Sequence, residues 1–321
     1  MKKIILGRTK QNISAISLGT WSYGKINTKK KVSVGWSGQS DLDSKDALLK
    51  SFASGLNHWD TADVYGDGHA EKIIGSMWNQ IPRELIFLAT KLGWDKGPNI
   101  NWYNPSYMRL KMEQSLKNLK TEHVDLLYLH HCNFGKNDEF LDGAIEQLIR
   151  FKDEGKIRFI GLSDWSSIKI MKYIDTVDPD VVQPLYNVFD IEYETSGLKN
   201  YVKKNNIGAC FFSPIKHGLL TGKYDSVIHF PQGDFRNTVR EFKDINFIEK
   251  MKLNRLKIEK KFIHFGANAI MQSLIGAILF DNPTACVLLG QRNKKQAELA
   301  GLINETLTKN EALWVLSLFK I

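Results

Sequence analysis

Residues 85–91 read Leu85-Ile86-Phe87-Leu88-Ala89-Thr90-Lys91, and residues 124–130 read Val124-Asp125-Leu126-Leu127-Tyr128-Leu129-His130. Each run is short and mostly apolar, and an amphipathic stretch of helical length lies between them at 106–119. A strand, a helix and a second strand in this order are the sequence pattern of a βαβ unit. The pattern therefore predicts strands over 85–89 and 124–129, joined by a helix.

The same alternation continues over the rest of the chain. Further strands are predicted at 13–19, 56–60, 157–162, 181–184, 208–213 and 285–289, and further helices at 43–53, 139–153 and 167–174. Eight strands with intervening helices favour the α/β class and a (β/α)8 TIM barrel, with its active site at the C-terminal face. Residues 1–321 are predicted to form one such domain.

An open doubly wound sheet is the alternative fold. It normally binds a dinucleotide through G-x-G-x-x-G after its first strand. Here that strand runs into Thr20-Trp21-Ser22-Tyr23-Gly24, which lacks the spacing. From 213 to 285 the chain is longer than one βα unit needs, which predicts a long top-face loop around 215–238 and two helices.

The composition is that of an ordinary globular protein. Of 321 residues, 43% are hydrophobic and 25% charged, and the formal net charge is +9. The lysines are scattered, without an arginine-rich run or zinc-finger spacing, so we predict no nucleic-acid partner. Three widely spaced cysteines without a C-x-x-C pair argue against a disulfide framework or a structural zinc site. No stretch approaches a membrane span, and the prediction is a cytoplasmic protein with no membrane partner.

Four polar residues follow or end predicted strands: Asp60, Tyr65, Lys91 and His130. In a parallel barrel all strand C-termini open on one face, so these side chains are expected to converge. A lysine lowers the pKa of a nearby phenol, a carboxylate holds the lysine in place, and a neutral histidine can donate to a carbonyl oxygen. Such a site protonates an oxygen as negative charge builds on it, which suits carbonyl reduction by hydride from a nicotinamide.

Each of these residues also has an ordinary interpretation. Asp60 can cap a turn, Tyr65 can be a packing aromatic, Lys91 can be a solvated surface residue and His130 can be a core histidine. The pair His130-His131 suggests a metal site, but neighbouring residues of a strand point to opposite faces. The sequence therefore predicts no metal ion, and the joint placement of the four residues supports the catalytic interpretation.

Several segments resemble the signatures of the aldo-keto reductase family. They cover nearly the whole chain in the family's order: 55–66, the strand ending at Lys91, 124–130, 155–163, 182–187 and 213–224. The resemblance implies a barrel that uses NADPH or NADH without a Rossmann domain. It also implies Tyr65 as general acid, Lys91 and Asp60 as the groups that tune it, and His130 as the residue that orients the carbonyl.

The resemblance further implies a set of cofactor contacts. Ser163 and Gln183 match residues that bind the nicotinamide amide, and Tyr186, or another Tyr or Phe, matches the aromatic that stacks on its ring. Arg292 matches a residue at the adenosine 2′-phosphate, which favours NADPH, with NADH as the alternative. The remaining expected contacts are Gly19, Thr20, Trp21, Asp60, Asp164, Ser213, Pro214, Ile215, Leu219, Lys223, Arg236, Gly290 and Gln296.

Three departures from the family pattern bear on the cofactor. Asp164 stands where the family usually has Asn, which brings a carboxylate near the nicotinamide. Leu289 replaces a proline, and Leu299 and Ala300 replace a Glu-Asn pair that holds the adenine. The choice between NADPH and NADH therefore stays open.

The sequence leaves three functions open. The first is an NADPH-dependent reductase that acts on a small-molecule carbonyl, either an aldehyde, a ketone or a keto-sugar. The second is a nucleotide-sensing regulatory subunit, and the third is an enzyme that oxidises an alcohol or sugar. Aromatic residues in or near the predicted top-face loops suggest a pocket for sugar rings or apolar carbonyls. They are Trp21, Tyr23, Trp36, Trp94, Trp102 and Tyr103.

Overall fold

The described part of the chain consists mainly of strands that are each followed by one or two helices. The structure is a computed structural model that describes residues 1–29, 32–94 and 101–320. Its strands are β1 Lys3–Ile5, β2 Asn12–Ser14, β3 Ile16–Gly19, β4 Thr28–Lys29, β5 Val32–Ser33, β6 His58–Asp60, β7 Phe87–Leu92, β8 Val124–Leu129, β9 Ile157–Asp164, β10 Val181–Pro184, β11 Gly208–Phe211 and β12 Ala285–Gly290.

The helices pack around these strands. They are α1 Asp41–Ala53, α2 His69–Gly75, α3 Pro105–Leu119, α4 Leu141–Asp153, α5 Ser167–Val177, α6 Glu192–Thr195, α7 Leu198–Lys204, α8 Ile245–Lys261, α9 Ala269–Leu279, α10 Lys294–Gly301 and α11 Lys309–Ser317. Among the residues that the structure describes, no helix is both long enough and apolar enough to cross a membrane.

The predicted (β/α)8 barrel is confirmed. Strands β3, β6, β7, β8, β9, β10, β11 and β12 form a closed barrel in this order, and each pairs in parallel with its neighbours. The closing pair joins the last strand to the first, with Leu289 opposite Leu18. The two helices predicted between 213 and 285 are α8 and α9.

The N-terminal strand differs from its prediction. The run 13–19 is not one strand: β2 pairs antiparallel with β1, and only β3 enters the barrel. Leu6 and Ile13 are fully buried and join the cluster of side chains inside the barrel. A Cβ on Gly208, the first residue of β11, would lie 2.7 Å from the Leu6 side chain. The β1–β2 hairpin therefore packs against the N-terminal end of the barrel, opposite the face where active sites form.

Sequence signals at the helix ends explain where the helices begin. Asn104 caps α3 by accepting a hydrogen bond from the Tyr107 amide, and Pro105 occupies the first turn, where its missing N–H costs nothing. The Thr308 and Glu311 side chains form a reciprocal capping box at the start of α11. The predicted helices at 106–119 and 139–153 agree with α3 and α4 to within two residues, and α4 begins without a side-chain cap.

The interior of the barrel holds a polar layer below the C-terminal face. His58 Nδ1 lies 2.8 Å from the Ser17 hydroxyl and 3.6 Å from Cys286 Sγ, which is 3.2 Å from Cys210 Sγ. These groups come from four strands, and all are fully buried. The three cysteines of the chain are buried free thiols in the structure.

Residues 212–244 connect β11 to α8 without an α-helix or a strand. They contain short 3-10 turns at 216–221, 235–238 and 240–243. Asp234 ties this connection to the segment after β5: its carboxylate accepts hydrogen bonds from the Ser37 amide at 2.8 Å and the Ser37 hydroxyl at 2.6 Å. The Phe235 amide donates to the Gly35 carbonyl at 2.8 Å. Two loops distant in sequence are thereby joined at the C-terminal face.

Gly161 allows us to test the packing directly below the candidate site. An ideal Cβ at this position of β9 would lie 2.2 Å from the buried Tyr128 ring. We expect Gly161→Ala to lower the free energy of unfolding by about 1–3 kcal/mol, measured by urea denaturation, because the ring has to move. Gly290→Ala is the control, since its Cβ would meet nothing within 4 Å. Equal effects of the two substitutions would contradict this packing.

Candidate active site

A buried ion pair forms the base of the site. Asp60 ends β6 and is 2% exposed, and Lys91 lies on the neighbouring strand β7 and is 1% exposed. The Lys91 ammonium donates to Asp60 Oδ1 and, at 2.7 Å, to the Thr61 carbonyl. The other carboxylate oxygen of Asp60 accepts from Gln183 Nε2 at 2.9 Å. Both oxygens are thus satisfied, as a buried ion pair requires.

Tyr65 lies beside this pair. Its hydroxyl is 3.5 Å from Lys91 Nζ. Burial raises the pKa of Tyr65 well above 10, and the Asp60 and Asp63 carboxylates raise it further. The predicted lowering of this pKa is not what the resting site shows, since burial and the two carboxylates raise it. The phenol carries its proton at neutral pH.

His130 and His131 both reach the cavity beside Tyr65. The two rings stack 4.9 Å apart with 4° between their planes. The expectation that they point to opposite faces is wrong, because β8 ends at Leu129 and strand alternation stops there. Burial, the neighbouring His131 and Lys91 lower the pKa of His130 well below 6.5. Burial also lowers the pKa of His131 to about 4, so both imidazoles are neutral at pH 7.

The predicted site residues line one cavity of about 470 Å³ at the C-terminal face. This volume is in the range of small-molecule sites. The predicted residues that line it are Gly19, Thr20, Trp21, Asp60, Tyr65, His130, Ser163, Asp164, Gln183, Ser213, Pro214, Ile215, Lys223, Arg236, Gly290, Arg292 and Gln296. Lys91 lies behind this wall.

Tyr186 is the main correction to the predicted site. It is 1% exposed, its ring packs on Tyr193 and Phe211, and its hydroxyl donates to Glu194 at 2.8 Å. It lies outside the cavity wall, so it is not placed to stack on a bound ring. Phe212 lines the cavity instead, with the Trp165 ring edge-on at 4.8 Å. The sequence signal for this residue was its position directly before Ser213-Pro214.

Leu219 is the second correction. Its side chain is 1% exposed and packs in a separate cluster with Tyr224, Phe242 and Ile248. It therefore stabilises the long connection and does not contribute its side chain to the cavity wall. Cavity residues that the sequence did not single out include Trp165, Phe212, His217, Glu259 and Asn268.

Two arginines of the cavity are already engaged. Arg292 Nε donates to Gln39 Oε1 at 3.0 Å, and its NH2 group donates to the Ser37 carbonyl at 2.5 Å. Burial lowers the pKa of Arg292 below its usual range. Arg236 donates to both oxygens of Asp234, at 2.9 and 2.7 Å. Arg292 therefore carries the less compensated charge of the two.

Aromatic rings form the outer part of the cavity around Trp21. The Trp21 ring stacks over Tyr65 at 5.9 Å and lies 4.7 Å from Phe235. Trp36, Trp94 and Trp165 surround it at 5.7, 6.1 and 6.3 Å. Of the predicted pocket aromatics, Tyr23 and Tyr103 are fully buried and donate to the backbone carbonyls of Gln291 and His131.

Comparisons with known proteins agree with this architecture. A family model described as the Aldo/keto reductase family matches residues 15–272. The aldo-keto reductase yakc [NADP(+)] of Schizosaccharomyces pombe is 34% identical to this chain over 231 residues. The match covers 70% of this chain and 67% of that one. The NADH-specific methylglyoxal reductase of Escherichia coli strain K12 is 31% identical over 237 residues, 69% of this chain and 70% of that one.

A solved structure shares the fold over nearly the full length. The glycerol dehydrogenase of Gluconobacter oxydans has a TM-score of 0.80 at 26% sequence identity, covering 98% of this chain and 94% of that one. The family model, the relatives and the barrel with its cavity lead to one conclusion. The chain belongs to the aldo/keto reductase family of nicotinamide-dependent oxidoreductases.

Proposed function

We propose that the protein reduces the carbonyl of an aldehyde, ketone or keto-sugar, with Tyr65 as the proton donor and NADPH as the preferred source of hydride. One observation carries the proposal: the buried Tyr65 hydroxyl lies 3.5 Å from the buried Lys91 ammonium and shares a cavity with the buried His130 imidazole. This arrangement serves a reaction in which negative charge develops on an oxygen.

The proton transfer follows from the contacts of Tyr65. As the carbonyl oxygen gains negative charge, the Tyr65 phenol gives it a proton. The phenolate that remains lies 3.5 Å from Lys91 Nζ, so the ammonium stabilises it. His130, held neutral by burial, can donate an N–H to the same oxygen, which orients the carbonyl. Asp60 holds Lys91 in place through their buried hydrogen bond.

The donors and acceptors at the inner end of the cavity fit a nicotinamide. Gln183 uses its Nε2 on Asp60, which leaves Oε1 to accept from a carboxamide. The Ser163 hydroxyl donates to the Gln183 carbonyl at 3.1 Å and retains lone pairs as acceptors. Phe212 offers an aromatic face in the same wall. When bound, the cofactor supplies the hydride, while these residues orient it.

The charged side chains at the outer end of the cavity fit the phosphate groups of a nucleotide. Lys223 and Arg292 bring positive charge to the wall, and residues 213–215 line the same cavity. Arg292 is the residue proposed to bind the 2′-phosphate of NADPH, with Gln296 accepting its backbone N–H at 2.9 Å. Leu299 and Ala300 line the adenosine end without polar contacts to offer, so NADH remains the alternative cofactor.

The aromatic wall supports a ring-shaped or apolar substrate. Trp21, Trp36, Trp94 and Trp165 can cover the face of a sugar ring or an aromatic carbonyl. Oxidation of an alcohol or sugar is the second candidate, since hydride transfer is reversible and the fold is shared with a glycerol dehydrogenase.

Replacement of the proposed proton donor tests the mechanism. We expect Tyr65→Phe to lower kcat about 100-fold or more, because the ring stays while the acid is lost. NADPH oxidation is followed at 340 nm with a panel of aldehydes, ketones and keto-sugars, and NADPH affinity is measured in parallel. Tyr173→Phe is the control, since that hydroxyl bonds Asp138 and Lys172 away from the cavity. Full activity of Tyr65→Phe would overturn the assignment, and nucleotide binding by wild type without turnover would favour a regulatory subunit.

Replacement of Arg292 tests the cofactor assignment. We expect Arg292→Ala to raise the Kd for NADPH about tenfold or more, the effect of one charge-assisted phosphate contact, and to change the Kd for NADH much less. Tryptophan fluorescence during titration reports binding, because four tryptophans line the cavity. Lys294→Ala, an exposed cation two residues away, is the control. An equal loss for both nucleotides would contradict a 2′-phosphate contact.

A further inference from the structure

Asp164, the last residue of β9, is an acidic residue that lines the cavity. It has no role in the proton transfer proposed above. It is 4% exposed and follows Ser163, which pairs with Gln183 across β9 and β10. Its two carboxylate oxygens accept from two different backbone amides, Cys132 at 2.8 Å and Ser166 at 2.9 Å. Asparagine, the residue expected here from the resemblance, would turn its NH2 group towards one of those donors. The local backbone is therefore matched to a carboxylate.

The charge of Asp164 has little compensation. Within the residues that the structure describes, its only ion-pair partner within 4 Å is His131, whose Nδ1 lies 3.9 Å away. Burial lowers the pKa of His131 to about 4, so this imidazole is neutral at pH 7. A second acidic group of the wall, Asp60, forms an ion pair with Lys91. Among the described residues beside Tyr65 and His130, Asp164 is therefore the cavity carboxylate that has no lysine or arginine within ion-pair distance.

The position of this charge matters because a nicotinamide changes its own charge in the reaction. The substrate oxygen lies at Tyr65 and His130, and hydride has to pass between the cofactor and the carbon that carries this oxygen. The nicotinamide ring therefore binds against the part of the cavity wall next to these two residues. Ser163, Asp164 and Gln183 form that wall. The oxidised ring carries one positive charge and the reduced ring carries none. A buried carboxylate favours a cation in a poorly screened site.

We propose that Asp164 makes this enzyme bind the oxidised cofactor in preference to the reduced one. The inference rests on the proposed function and adds to it a residue that selects the redox state of the cofactor. At equal concentrations of the two forms, the enzyme fills with NAD(P)+. In that state the enzyme would serve the oxidative direction given above as the second candidate. A hydride would leave the carbinol carbon of an alcohol, and the hydroxyl proton would pass to Tyr65 once its phenol has released its own proton to solvent, with Lys91 Nζ beside the phenolate. The C–H and O–H bonds break, a C=O bond forms, and the cofactor is reduced.

The test is a pair of binding titrations on each of three proteins. Wild type, Asp164→Asn and Asp180→Asn are titrated with NADP+ and with NADPH, following tryptophan fluorescence, and the ratio Kd(NADPH)/Kd(NADP+) is compared. Asp180 is the matched control, because its carboxylate also accepts a backbone amide of β9, that of Ile160 at 3.0 Å, at the other end of the strand. We expect the ratio to fall about tenfold in Asp164→Asn and to stay unchanged in Asp180→Asn, since a tenfold change is the effect of one modest charge interaction.

Every result of these titrations either supports or overturns the inference. An unchanged ratio in a folded Asp164→Asn overturns the inference and leaves the proposed function intact. If neither nucleotide binds wild type, the proposed function fails and the inference fails with it. Circular dichroism and thermal unfolding report whether the variant folds. If it does not, Asp164→Ser removes the charge and keeps an acceptor, with the same expected ratio. A wild-type enzyme that binds NADPH more than tenfold tighter than NADP+ overturns the inference without any variant.

Discussion

The buried pair of Asp60 and Lys91 is the constraint on which the rest of the site depends. Two charges inside a protein lose their hydration, and this cost is offset only when every remaining donor and acceptor has a partner. Gln183 and Thr61 supply those partners here. The barrel makes this possible because β6 and β7 pair in register, with Asp60 opposite Ala89. Lys91, two residues further along, then projects from the same face of the strand.

The same pair determines the protonation state of Tyr65. An isolated ammonium at 3.5 Å would favour a phenolate, but Asp60 compensates the Lys91 charge and burial disfavours any further charge. The phenol is consequently a proton donor at rest. Once it loses its proton, the nearby ammonium becomes its counter-ion. The Asp60–Lys91 pair thus stabilises the neutral phenol little and the phenolate strongly. General acid catalysis requires this difference in stabilisation.

The sequence predicts the elements with the strongest periodicity and misses features that depend on packing between distant segments. Strands β8 and β10 agree with their predicted bounds because both are short apolar runs. The run 13–19 is equally apolar, but nothing in it indicates that the chain leaves the hairpin and enters the barrel between Ser14 and Ile16.

Side-chain direction is the other missing information. Tyr186 and Phe212 each follow a strand, and only the turn after each strand decides which ring faces the cavity. Strand alternation predicts opposite directions for His130 and His131, but both residues lie beyond Leu129, where β8 ends. The layer of His58, Cys210 and Cys286 comes from three strands up to 228 residues apart in the chain, a separation over which no local motif exists.

Arg292 shows why cofactor choice is the least predictable property of this site. A guanidinium at the end of the last strand suggests a phosphate clamp, but here it already donates to Gln39 and to the Ser37 carbonyl. A bound phosphate has to replace those bonds, so its net contribution is the difference between two sets of hydrogen bonds. Ser37 is in turn held by Asp234. The strength of the clamp is therefore set by the stability of contacts between the loops at 35–39 and 234–236, and a motif centred on residues 290–296 contains no information about them.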